Sequence, residues 1–130
     1  MHVQASTDDL RLRRVLVVED EYLIARALAE GLSQRGVIVV GPASDLTTAL
    51  ALADAEPLDA AILDINLDGQ SVYPLADALL RAEVPFGFAT GYDLFVIPEQ
   101  YRAVPFWQKP CTVEALAGAL RAMIRNQAAG

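Results

Sequence analysis

The sequence predicts an α/β domain: a parallel sheet of five strands with helices on both faces. Three observations predict it. Short apolar runs alternate with helix-spaced patterns over most of the 130 residues, the runs are apolar at consecutive rather than alternate positions, and 54% hydrophobic residues suffice for one buried core. A strand that is apolar at every position suits a parallel sheet covered on both sides, and the strand-helix alternation implies right-handed crossovers.

Residues 1–13 are expected to form a flexible N-terminal arm that includes His2, residues 14–126 the domain, and 127–130 a C-terminal tail. Val15-Leu16-Val17-Val18 reads as the first strand and stops at Glu19-Asp20. Leu23, Ile24, Ala27, Leu28, Gly31 and Leu32 then recur at helical spacing, with Gly36 as a stop signal. Val37-Ile38-Val39-Val40 is the second strand. Ser44 or Asp45 caps a helix carrying Leu46, Ala49, Leu50 and Ala53 that ends before Pro57.

Residues 59–64 form the third strand, and a helix over about 72–83 follows, with Pro74 tolerated in its first turn and Leu75, Ala78 and Leu79 on its inner side. Residues 86–89 and 105–108 are strands four and five. Thr112 caps the last helix, where Val113, Leu116, Ala119, Leu120, Met123 and Ile124 share one apolar face. The fourth crossover breaks the pattern: Pro98 removes a helical donor and clashes with the preceding turn, so a short or irregular helix is expected, with one turn starting at Pro98.

The formal net charge of −7 argues against nucleic acid as a direct partner, because binding a phosphate backbone requires a concentrated positive surface. Arg11-Leu12-Arg13-Arg14 is the locally basic stretch and reads as a solubilising leader. Cys111, the single cysteine, has no internal disulfide partner; with no secretory leader and no membrane-length apolar run, a soluble cytoplasmic protein is expected.

Parallel strands all point one way, so residues just past their carboxyl ends gather at one edge. That edge receives Glu19 and Asp20, then Asp64, Thr90 and Lys109. Each has a bland reading on its own: helix-capping acids, a turn former, a loop hydroxyl, a surface lysine. Their joint occurrence, each directly after its own strand, favours a site. Two unit charges some 4 Å apart repel by about 4 kcal/mol at an intermediate dielectric. Three crowded carboxylates therefore call for a cation, and an all-oxygen set with few direct carboxylates suits Mg²⁺.

Over residues 14–126 the chain resembles the receiver domain of bacterial two-component response regulators. Val17-Val18-Glu19-Asp20-Glu21, Leu63-Asp64, Ala89-Thr90 and Gln108-Lys109-Pro110 match its acidic pair, phosphoacceptor, switch hydroxyl and lysine. Phe88-Ala89-Thr90-Gly91-Tyr92 resembles the signature of a single-domain subgroup. The resemblance implies the doubly wound, flavodoxin-like order 2-1-3-4-5.

It also implies a mechanism. Asp64 attacks a phosphohistidine on a sensor histidine kinase or histidine phosphotransfer protein and becomes an aspartyl phosphate. Asp20 and Asp64 ligate Mg²⁺ directly, Glu19 through water and Asn66 through its main-chain carbonyl, while Lys109 pairs with a phosphoryl oxygen. Thr90 and the amide of Ala89 or Ile65 donate to the other oxygens. Inward movement of Thr90 admits Phe106, unless Phe106 is plain core.

Two departures stand out: the Thr90-to-Lys109 interval is short, which opens a switching role for Tyr92 and Tyr101, and Asp68-Gly69 follows Asp64 where receivers often carry proline.

The functional expectation is a stand-alone response regulator, a phosphoprotein of a phosphorelay. It catalyses only its own phosphorylation and dephosphorylation, signals to a downstream protein, and can dimerise on phosphorylation. A phosphorylation-independent interaction scaffold is the alternative, disfavoured by the mutually repelling acids. A flavin binder is weaker still, since an acidic first loop repels a flavin phosphate.

Overall fold

The structure, a computed structural model, describes residues 10–91 and 97–129. Strands β1 (Arg14–Val18), β2 (Ile38–Ala43) and β3 (Ala60–Asp64) alternate with helices α1 (Tyr22–Gln34) and α2 (Leu46–Ala55). A two-residue pair, β4 (Asn66–Leu67) and β5 (Gln70–Ser71), precedes α3 (Tyr73–Arg81). Then come β6 (Phe86–Thr90), a 3-10 turn over Glu99–Tyr101, β7 (Phe106–Gln108) and α4 (Val113–Ala129). The main sheet is parallel, in the order β2-β1-β3-β6-β7. This is the doubly wound arrangement expected, with β6 and β7 as the fourth and fifth strands.

Alternate residues of the apolar runs go to opposite faces, so each run feeds two cores. Leu16, Val18, Ala61, Leu63, Phe86 and Phe88 pack with Ala49 of α2 and Leu75, Ala76 and Leu79 of α3. Val15, Val17, Ala60, Ile62 and Ala89 pack with Leu28 and Leu32 of α1 and Leu116, Ala117 and Leu120 of α4. All five residues of β3 and of β6 are buried, as central parallel strands require.

Local signals account for most boundaries. Asp45 accepts the Thr48 amide at 2.7 Å and caps α2, and Thr112 Oγ1 accepts the Ala115 amide at 3.0 Å at the start of α4. The 3-10 turn begins after Pro98, whose carbonyl accepts the Tyr101 amide at 3.0 Å.

Several details differ from the sequence reading. Leu10, expected in the flexible arm, is buried in the α1–α4 core, and Leu12 N–H donates to Gly36 O at 2.8 Å. The second strand runs on through Pro42 to Ala43, which an edge strand tolerates because one side of its ladder is unpaired. On α1, Leu23 and Ile24 are 77% and 40% exposed, and the buried stripe is Ala25, Leu28 and Leu32. Residues 127–129, read as tail, continue α4. Among the described residues, no helix is long and apolar enough to cross a membrane.

Candidate functional site

The rim at the carboxyl ends of the strands collects the expected side chains. Asp64 closes β3, next to Ala89 in register, and Thr90 closes β6 opposite Gln108. Lys109 N–H donates to Thr90 O at 2.9 Å, which carries the β6–β7 ladder one residue further and fixes where the lysine leaves the sheet. Glu19 N–H likewise donates to Ala43 O at 2.9 Å just past β1.

Glu19, Asp64 and Thr90 are the buried polar side chains among the described residues. Lys109 Nζ lies 2.7 Å from Glu19 Oε1 and 3.1 Å from Asp64 Oδ2. Glu21 Oε1 stands further off, 3.7 Å from the same ammonium. Carboxylate oxygens of Glu19, Asp20 and Asp64 all lie within 4.8 Å of one another. With all three acids ionised, one ammonium leaves two negative charges, the deficit that a divalent cation would cancel. Beside them opens a cavity of about 540 Å³ lined by Asp20, Asp64, Asn66, Asp68 and Lys109 among others.

The electrostatics follow from this crowding. Burial, and then the Glu19 charge, push the Asp64 carboxyl up to about 7, although Lys109 pulls the other way. Burial alone would lower the Lys109 pKa, but its bonds to Glu19 and Asp64 outweigh burial and raise it. Protonating Asp64 and deprotonating Lys109 are thus opposed: the lysine stays charged while the aspartate is the group that yields.

The Asn66 main-chain amide donates to Asp64 Oδ1 at 3.3 Å. The residues around it pair as the two short strands β4 and β5. Asp68 and Gly69 have φ of +53° and +88°, the left-handed pair of a type I′ turn, and the Gly69 amide donates to Asn66 Oδ1 at 2.9 Å. The Asp-Gly dipeptide was the available signal; the flanking strands are too short to show a period. Glu21 also approaches Lys109, although nothing in its sequence spacing marks it as a neighbour.

The capping alternative for Glu19-Asp20 is not what the fold shows. The N-cap position of α1 is Glu21, without a side-chain cap bond, and Glu19 instead accepts the Glu21 amide at 3.1 Å while gripping Lys109. Phe106 is 46% exposed, so it is not the core residue that was its rival reading. Trp107 points to the opposite face, over Gly87, and packs on the α1–α4 core. Tyr92 lies outside the described residues. Tyr101 is buried, away from the acids, against α3.

Residues 15–121 match the family model described as the response regulator receiver domain. The chain belongs to that family. A receiver is a signalling domain rather than a conventional enzyme. The chain is 30% identical over 112 residues to the transcriptional regulatory protein PdtaR of Mycobacterium tuberculosis, across 83% of this chain and 55% of that protein. It thus spans about half the length of the curated relatives it matches.

Among solved receivers, the solution structure of SdrG from Sphingomonas melonis Fr1 is 38% identical with a TM-score of 0.76, covering 92% of this chain and 99% of that one. The BeF3-activated conformation of SdrG from Pseudomonas melonis Fr1 is 39% identical with a TM-score of 0.72, over 88% and 98% of the two chains. The response regulator PhyR from Brucella abortus is 26% identical with a TM-score of 0.76, over 95% and 52%.

Proposed function

We propose that this receiver takes a phosphoryl group from a phosphohistidine onto Asp64, with Mg²⁺ bound among its acids, and passes the event to a protein partner as a change of packing. The observation that carries the reading is the Lys109 ammonium shared between Glu19 and Asp64 at the mouth of an acid-lined cavity. A purely structural lysine could pair with one acid; here it leaves an uncompensated charge of the size a divalent ion brings.

In the transfer an oxygen of Asp64 forms the new O–P bond as the P–N bond to the imidazole breaks. The departing nitrogen keeps the electron pair and takes a proton from solvent. Catalysis is chiefly alignment and charge neutralisation. Mg²⁺ when bound would cancel charge on the phosphoryl oxygens. Asp20, Asp64 and the main-chain carbonyl of Asn66 would hold it directly, with Glu19 one water away and already engaged by Lys109.

Lys109 is positioned to exchange its Asp64 contact for a phosphoryl oxygen while Glu19 keeps the ammonium in place. Thr90, at the end of β6, is the hydroxyl placed to follow the new charge, with the Ala89 or Ile65 amide as a second donor. Phe106 is the exposed aromatic that would move inward behind it. The donor is a sensor kinase or phosphotransfer protein, and the listener a protein rather than nucleic acid or membrane; the phosphorylated form can pair with a second copy.

The test is the intact mass of the protein incubated with Mg²⁺ and acetyl phosphate, beside Asp64→Asn. Wild type is expected to gain one phosphoryl group and the variant none. A wild type that gains nothing would leave the interaction-scaffold reading in its place.

A further inference from the structure

The crossover between β6 and β7 is held to the rest of the molecule in an unusual way. Its described part, residues 97–105, contains a single 3-10 turn and one fully buried side chain, Tyr101, the largest such side chain among the described residues. Ile97 and Val104 are only partly buried against the core, and Arg102 and Ala103 are exposed. The Tyr101 ring stacks on Tyr73 with centroids 5.0 Å apart and meets Phe88 edge-on at 5.7 Å. Its hydroxyl donates to the Asp77 carboxylate of α3 and lies 3.3 Å from Tyr73 O.

These neighbours connect the crossover to both arms of the site. Tyr73 opens α3 immediately after the hairpin that follows Asp64, and Phe88 stands two residues before Thr90 on the same face of β6. Phe106 is in register with Phe88, and paired residues of parallel strands project to the same face. Yet Phe88 is fully buried beneath Tyr101, while Phe106 is 46% exposed.

We propose that the Tyr101–Asp77 hydrogen bond is a latch: it docks the crossover on α3, and the docked Tyr101 ring occupies the ground over Phe88 that Phe106 must enter. This inference rests on the reading of Phe106 as the switch aromatic. A buried phenol needs a partner for its hydroxyl, and one bonded to a carboxylate is held more strongly than one bonded to a neutral group. Releasing that bond frees the fully buried side chain of the described crossover, and even a charge-assisted hydrogen bond is weak enough for a phosphorylation event to overcome.

Tyr101→Phe, Asp77→Leu and the double variant test this in the full chain, with no phosphodonor present: Leu is close to Asp in size but offers no acceptor to the phenol. Ring and side-chain size are retained, so the fold is expected to persist. Amide exchange at Tyr101, Arg102 and Val104 should accelerate about tenfold in each single variant and no further in the double, because both changes remove the same bond, while β1 and β3 remain protected. Fluorine NMR of fluorophenylalanine-labelled protein, with the Phe106 signal assigned through Phe106→Leu, should show Phe106 losing solvent contact in all three.

Unchanged exchange in the crossover, acceleration shared equally with β1 and β3, multiplying effects in the double variant, or a Phe106 as exposed as in wild type would each overturn the latch. Because no phosphoryl group is involved, failure here is distinct from a failure of Asp64 to be phosphorylated.

Discussion

The Lys109 ammonium stands 3.1 Å from the Asp64 carboxylate, and yet Asp64 remains pushed up to about 7. One cation does not satisfy this rim. Burial and the Glu19 charge together exceed what Lys109 returns, so without a further cation the folded chain holds Asp64 at a cost that depends on pH.

The sign of that dependence is definite. A carboxyl whose pKa is about 7 in the fold and 3.8 in the unfolded chain binds its proton more tightly when folded, so its stabilising contribution is complete below 3.8 and lost as pH rises through 7. In EDTA, Asp64→Asn should therefore be more stable than wild type by on the order of 2 kcal/mol at pH 8, and nearly equal to it at pH 4. Urea unfolding at the two pH values measures this. A variant less stable than wild type at pH 8 would contradict it.

Magnesium should reverse the penalty. Binding requires the ionised carboxylate, so affinity should rise by up to about tenfold per pH unit between 5 and 7 and level off above. Removing the metal with chelator at pH 8 should lower wild-type stability but not that of Asp64→Asn. Asp20→Asn, at a half-buried position, should weaken the ion by about tenfold or more without unfolding the chain. Trp107, two residues before Lys109, offers a fluorescence titration; an Asp20→Asn titration that overlays wild type would exclude Asp20 as a ligand.

Gly87 is required by the indole beside it. A Cβ there would lie 2.3 Å from Cη2 and 2.6 Å from Cζ3 of Trp107, so the ring has to move. Gly87→Ala should cost about 1–3 kcal/mol in denaturant unfolding and shift the tryptophan emission. A variant with native emission and native stability would show that the ring yields without cost.

Gly69 is required by its backbone alone. A Cβ would meet nothing within 4 Å, but φ is +88°, so Gly69→Ala strains only the turn. The expected loss is about 1 kcal/mol, with weaker Mg²⁺ binding because the Gly69 amide secures the Asn66 side chain. Thermal unfolding and a metal titration check both parts.

Much of this domain is legible in its residues because parallel strands covered on both faces write continuous apolar runs, and the residues following those runs must share one edge. That topological rule brings Glu19, Asp20, Asp64, Thr90 and Lys109 together before any coordinate is known. Asp45, Thr112 and Pro98 act through bonds or clashes within a few residues, so they too are readable locally.

What only the tertiary structure decides are relations between residues distant in the chain. Glu19 clamps Lys109 instead of capping α1, Leu10 is drawn into the core, and Leu23 and Ile24 are left outside it. Tyr101 in the crossover is buried while Phe106, which opens β7, is exposed, although both are aromatic residues five positions apart. Apolar character states only that burial is favourable; which ring obtains it depends on the room left over Phe88 and on the distant Asp77 carboxylate that receives the phenol, and neither is written near Tyr101 in the sequence.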